Sequence, residues 1–147
     1  MSEKQSEKYL GFKSATVACV DGVRDGKISG EFFHKYSKEG IPFTNLAEMI
    51  LRMDDFFNEI NYPVSGTNLR SFANVKVVYR REPLPVVNED EQILNKKGTL
   101  GTYIIRVQQR QNSTWQGKIT WVEKDETVSF RSALEMIRLI ESSLQTK

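Results

Sequence analysis

The chain has 147 residues, 39% hydrophobic and 27% charged, with 21 Lys and Arg against 19 Asp and Glu. A chain of this length buries enough surface to fold as one domain, and its composition excludes a disordered tail, a collagen and a coiled coil. A single cysteine (Cys19) and a single histidine (His34) exclude a disulfide framework and a multi-Cys zinc site, so no cofactor and no metal are expected.

The polar start, MSEKQSEKY, has no apolar core of a signal peptide, and no run of 18 apolar residues occurs, so the expected address is cytoplasmic and no membrane is expected. Ser14 to Asp21 reads as a first strand. Asp25-Gly26 is a hairpin signal, and Ile28 to Tyr36 is the return strand. Asn45-x-x-Glu48 is a capping box that opens a helix over 45–60. Leu46, Met49, Ile50, Met53, Phe57 and Ile60 mark its buried face, and Tyr62-Pro63 ends it.

Residues 61–98 are less regular. Val75 to Arg80 reads as a further strand or a pairing edge, Glu82 to Pro85 as an extended stretch, and Asn88 to Gln92 as a mobile acidic loop. Lys96 to Gly101 resembles a GxxG phosphate clamp only superficially, because it leads into a strand, and reads as a flexible lead-in.

Beyond it, Thr102 to Gln111 alternates as a strand, with Tyr103, Ile105 and Val107 on one face. The sequon Asn112-Ser113-Thr114 reads as the turn. Gln116 to Glu123 returns with Ile119 and Trp121 on the apolar side, and Lys124-Asp125 turns into a short strand, Thr127 to Phe130. Ser132-x-x-Glu135 is a second capping box, and Ala133, Met136, Ile137, Ile140 and Leu144 give its helix a buried stripe.

The two helices align without a gap: Phe43 with Phe130, Asn45 with Ser132, and Glu48-Met49-Ile50 with Glu135-Met136-Ile137. Gly26-Lys27-Ile28 upstream of the first then matches Gly117-Lys118-Ile119 upstream of the second, if four extra residues loop out at Ser37 to Gly40. The predicted class is therefore α+β in a single domain, 1–147. Two similar antiparallel meander-plus-helix units, 14–60 and 99–147, flank an irregular connection, 61–98, and the helices pack on one face of the sheet.

The stretch from Arg106 to Leu144, RVQQRQNSTWQGKITWVEKDETVSFRSALEMIRLIESSL, is similar to the C-terminal block of a family of small uncharacterised proteins from anaerobic Gram-positive bacteria. The shared pattern is R-V-x-x-R-Q-N-x-x-W-Q-G-x-x-x-W followed by F-R-S-x-L-E-x-I. It covers about the last third of the chain. The resemblance implies a folded, cytoplasmic, bacterial protein and carries over no catalytic residue, because no activity is assigned to the family.

Reactive chemistry finds little support in the residues. His34 lacks a nucleophile-elbow Ser or Cys and reads as a partly buried strand histidine. Cys19, mid-strand, reads as inert. Asp54, Asp55 and Glu59 read as the solvated side of the first helix, and Asn88 to Glu91 lacks the spacing of a calcium loop. No catalytic residue, and no enzyme, is expected.

The strongest polar constellation is on the sheet. Opposite Tyr103, Ile105 and Val107 the alternation places Arg106, Gln108 and Arg110, with Lys118, Thr120 and Lys124 on the neighbouring strand and Trp115 at the rim. Residues 1–60 carry 8 basic and 10 acidic side chains, 61–98 carry 6 and 4, and 99–147 carry 7 and 5, so an anion prefers the later two-thirds. The expected function is a non-enzymatic binding or adaptor module whose partner is a protein or a second copy of the chain. The alternative is a nucleic-acid-binding protein using this basic face.

Overall fold

Thr16, Val17 and Val20 supply the β-branched residues of β1, Thr16–Arg24, which turns at Asp25 and Gly26, both at positive φ (53° and 76°), into β2, Lys27–Phe33. In this computed structural model, which describes residues 13–63, 72, 84–110 and 114–145, the chain continues through β3, Ile41–Phe43, to the helix α1, Leu46–Ile60. A short helix, α2, spans Asp90–Leu94. Then come β4, Gly101–Gln109, β5, Gln116–Trp121, a 3-10 turn at Val122–Lys124, β6, Glu126–Phe130, and α3, Ala133–Gln145. The six strands form one antiparallel sheet in the order β3-β2-β1-β4-β5-β6. The α+β class and the antiparallel sheet match the sequence reading. The strand expected at Val75 to Arg80 lies outside the described residues.

Both N-caps form, and in each the Glu at the third helical position reaches past the cap to the residue before it, one residue further than the expected capping box. Asn45 Oδ1 accepts from Glu48 N–H at 2.8 Å while Glu48 Oε1 accepts from Thr44 N–H at 3.0 Å. Ser132 Oγ accepts from Glu135 N–H and Glu135 Oε1 accepts from Arg131 N–H, each at 3.0 Å. Each cap satisfies a backbone donor that the first helical turn leaves open.

The register of the two hairpins is the same at a constant offset. Gly30 lies opposite Val20 on one side and Phe43 on the other; Gly117 lies opposite Val107 and Phe130. Both glycines are fixed by close approach. A Cβ on Gly30 would lie 1.9 Å from the Cys19 carbonyl oxygen, and one on Gly117 would lie 2.1 Å from that of Arg106. Each central strand is bulged at the same place, between Val20 and Gly22 in β1 and between Val107 and Gln109 in β4. The pairing therefore matches Gly117 with Gly30. The correspondence with Gly26 read from GKIS and GKIT is corrected, and the Ser37 to Gly40 stretch is not an insertion in this register.

The central strands are buried on both faces. One cluster joins Ala18, Val20, Phe32, Tyr103, Ile105, Val107 and Ile119 to Met49, Met53, Phe56 and Phe57 of α1 and Met136 and Ile140 of α3. A second joins Ala15, Val17, Cys19 and Ile104 to Ile93 and Leu94 of α2 and to Val122. The stretch from Asn88, expected as a mobile loop, is thus a structural element. Ile93 and Leu94 cover the far face, Asn88 Nδ2 donates to the His34 and Ser37 carbonyls, and Lys35 pairs with Asp90 at 3.2 Å. A five-residue helix is too short for periodicity to reveal. The lead-in to β4 is pinned as well, by Leu100 N–H on the Val20 carbonyl and Thr99 N–H on Asp21.

Candidate functional site

The bulge in β4 decides the fate of the expected basic face. An extra residue in one strand breaks the two-residue alternation and sends everything beyond it to the other side. Arg106 lies before the bulge, across from Lys118. Arg110 lies after it and turns to the side of Val107 and α1. There its Nε donates to the Pro63 carbonyl at 2.6 Å, and its Nη1 donates to Asp54 at 3.0 Å and Asn58 at 2.8 Å, beneath the Phe57 ring. Arg106 and Arg110 therefore do not share a face, and Asp54 is not a free carboxylate.

The other expected members disperse too. Arg106 is largely buried, which lowers its pKa by desolvation. Thr120 is fully buried and shares a hydrogen bond with Thr127 at 2.9 Å. Trp115 is no rim residue: it is buried edge-on to Phe57, ring centroids 5.2 Å apart. Gln108, Lys118 and Lys124 remain exposed.

His34 and Cys19 hold no reactive arrangement. His34 stacks on Phe56 at 3.9 Å, and its Nδ1 accepts from Tyr36 N–H at 3.0 Å; burial lowers its pKa to about 4, so the ring is neutral at pH 7. Burial first, then the Asp21, Glu123 and Glu31 carboxylates, push the Cys19 thiol up to about 12. Among the described residues no three His, Cys, Asp or Glu side chains gather to hold a metal ion, and no helix is long and apolar enough to cross a membrane.

What the fold does build is a half-open cavity of about 230 Å³ between α3 and the outer half of the sheet. Ile119 and Trp121 of β5 form its floor with Tyr103 of β4; Leu139, Ser142 and Ser143 of α3 form one wall; Glu126 and Val128 of the outer strand form its lip. At the back, Tyr103 Oη and Ser143 Oγ share a hydrogen bond, and Ser143 also donates to the Ile140 carbonyl at 2.7 Å. Burial raises the Tyr103 pKa, so its hydroxyl stays protonated at pH 7. The Trp121 Nε1 is buried and has no hydrogen-bond partner among the described residues.

Alternation puts Tyr103, Ile119 and Trp121 on the apolar face but does not reveal the cavity there. The missed signal was Ser143, a polar residue on the buried stripe of α3, where the matching residue of α1 is Phe56. Comparison with protein-family models, curated proteins and solved structures returned no significant match, so roles rest on geometry alone.

Proposed function

We propose that the protein is a non-enzymatic binding module for another protein, and that its binding site is the cavity between α3 and β6. The observation that carries this reading is the cavity itself. It is largely apolar, open and bordered by the solvent-exposed Val128 of an outer strand. Concave, mostly apolar sites with a few polar groups are the usual place for a ligand group to be buried. The nucleic-acid alternative loses its support where the bulge parts Arg110 from Arg106, leaving Lys118 and Lys124 as the exposed cations of that group.

The reading extends to the origin of the site. The domain is two equivalent βββα units, β1 to α1 and β4 to α3, with both long helices on one face. The supporting observations are the shared register, the paired bulges and glycines, the twin N-caps and the pairing of Val17 with Ile104. Val17 and Ile104 are themselves equivalent under the Gly30-to-Gly117 offset, so a pseudo-two-fold axis passes between them. The cavity arises where the second unit departs from the first.

A photo-cross-linking amino acid placed at position 128 tests the binding site against the same label at position 23, an exposed valine of the first unit. Irradiation in native lysate should give a discrete protein adduct from position 128 and none from position 23. No adduct, or the same adducts from both, overturns the reading.

A further inference from the structure

We propose that the cavity takes the phenylalanine ring of an extended partner segment, which adds to the outer edge of β6 and stacks its ring on Trp121. This rests on the binding-module reading and names the partner's chemistry.

The first argument comes from position. The offset that relates Gly30 to Gly117 also relates Phe56 to Ser143, His34 to Trp121, Phe32 to Ile119 and Ile41 to Val128. In the first unit the Phe56 ring lies flat on His34, 3.9 Å between centroids and 12° between planes. In the second unit the helix supplies only a serine hydroxyl at that place, and the strand supplies a wider platform, an indole. A ring brought from outside restores the stack that the first unit makes with its own side chain.

The second argument is size. A small-molecule site usually spans roughly 300–1,000 Å³, whereas an apolar cavity of about 150 Å³ already holds benzene. At about 230 Å³ this cavity suits one ring with its methylene better than a whole cofactor. Chemistry narrows it further. Ile119, Val128 and Leu139 favour an apolar group, and Glu126 at the lip disfavours a carboxylate.

The third argument identifies the source of the ring. β6 ends the sheet, and among the described residues no strand pairs with its outer side. It is five residues long and has no proline. The opposite outer strand, β3, has three residues, one of them Pro42, which cannot donate to an added strand. A chain laid along β6 gains main-chain hydrogen bonds, and every second side chain falls on the Val128 side, over the cavity.

The test is an NMR titration of the full chain with the peptide acetyl-Thr-Val-Phe-Val-Thr-amide, the same peptide with Phe→Ala, and benzyl alcohol as a ring without a backbone. The Phe peptide should shift the Trp121 indole N–H and the amides of 126–130, and bind at least tenfold more tightly than the Ala peptide. Ser143→Phe should weaken it at least tenfold. Leu139→Phe, which narrows the cavity from one turn earlier on the same helix, serves if Ser143→Phe does not fold. Equal binding of the two peptides, or no shift at Trp121 at millimolar peptide, overturns the proposal. So does benzyl alcohol matching the Phe peptide, which would assign the cavity to free aromatic compounds. Adducts from position 128 alongside any of these results would sink the ring and leave the binding module standing; absence of adducts would sink the module itself.

Discussion

Phe56 and Ser143 occupy the same turn of two helices that otherwise match closely. Met49 and Met136 are both fully buried, Met53 and Ile140 likewise, and both helices begin with the same capping geometry. The first unit closes its core with Phe56 against His34, Tyr36 and Phe57. The second closes only as far as the Tyr103–Ser143 hydrogen bond and leaves a cavity above Trp121. One register thus ends in two ways: Phe56 fills the space over His34, and the space over Trp121 stays open.

The largest effect should come from emptying the filled side. Phe56→Ala removes a buried ring and should cost about 3–5 kcal/mol in urea unfolding. Ser143→Ala, at the matching place, strands the Tyr103 hydroxyl and should cost less, about 1–3 kcal/mol. Similar losses at the two sites would show that the units are packed alike and that the cavity is not a real difference.

A second contrast follows the bulges. After its bulge, β4 sends Arg110 under α1, whereas the matching Val23 in β1 is exposed. Arg110→Ala leaves Asp54, Asn58 and the Pro63 carbonyl without their donor and should cost about 3 kcal/mol, the low end for a broken buried pair because Asp54 is partly exposed. Val23→Ala should change stability by less than about 0.5 kcal/mol. If Arg110→Ala is equally mild, the guanidinium is not the clamp between β4 and α1.

The strand residues at these matching places also differ in charge. His34 can be protonated; Trp121 cannot. Folding holds the His34 pKa at about 4 against a usual 6.5, so between those values the unfolded chain binds the extra proton. Stability is complete above pH 6.5 and falls as the pH drops toward 4, with roughly 2 kcal/mol lost at pH 5. His34→Leu should flatten that limb in unfolding curves at pH 7 and 5. A variant that loses as much as the wild type would place the acid sensitivity in other groups.

How far the sequence could be read follows from these same residues. N-caps, turns and the apolar faces of β4 and β5 were legible because each is a local pattern. The bulge was not, since Gln108 looks like any outward residue of an alternating strand, and one unseen insertion moved Arg110 across the sheet. The stripe positions Ile50 and Ile137 proved only partly buried, while Phe56 and Ser143, one residue from the expected stripe positions Phe57 and Leu144, faced inward. The short α2 stayed hidden because Glu89 is not a usual cap and five residues carry no period.

The smallest effect, and the one that bears most directly on the comparison, is filling the unfilled side. Ser143→Phe makes the second helix repeat the first at this position. The new ring would bury against Ile119, Leu139 and Trp121, a gain of about 1.5–3 kcal/mol if fully covered. Against this stand the Tyr103 hydroxyl, which loses its partner at a cost of about 1–3 kcal/mol, and any crowding at the back of the cavity. The terms nearly cancel, so the thermal midpoint should move by only a few degrees in either direction. The Tyr103→Phe/Ser143→Phe double variant removes the stranded hydroxyl and should then be more stable than Ser143→Phe alone. A loss above about 3 kcal/mol in both variants would mean that the space over Trp121 does not admit a ring, and the likeness to Phe56 would end at the backbone.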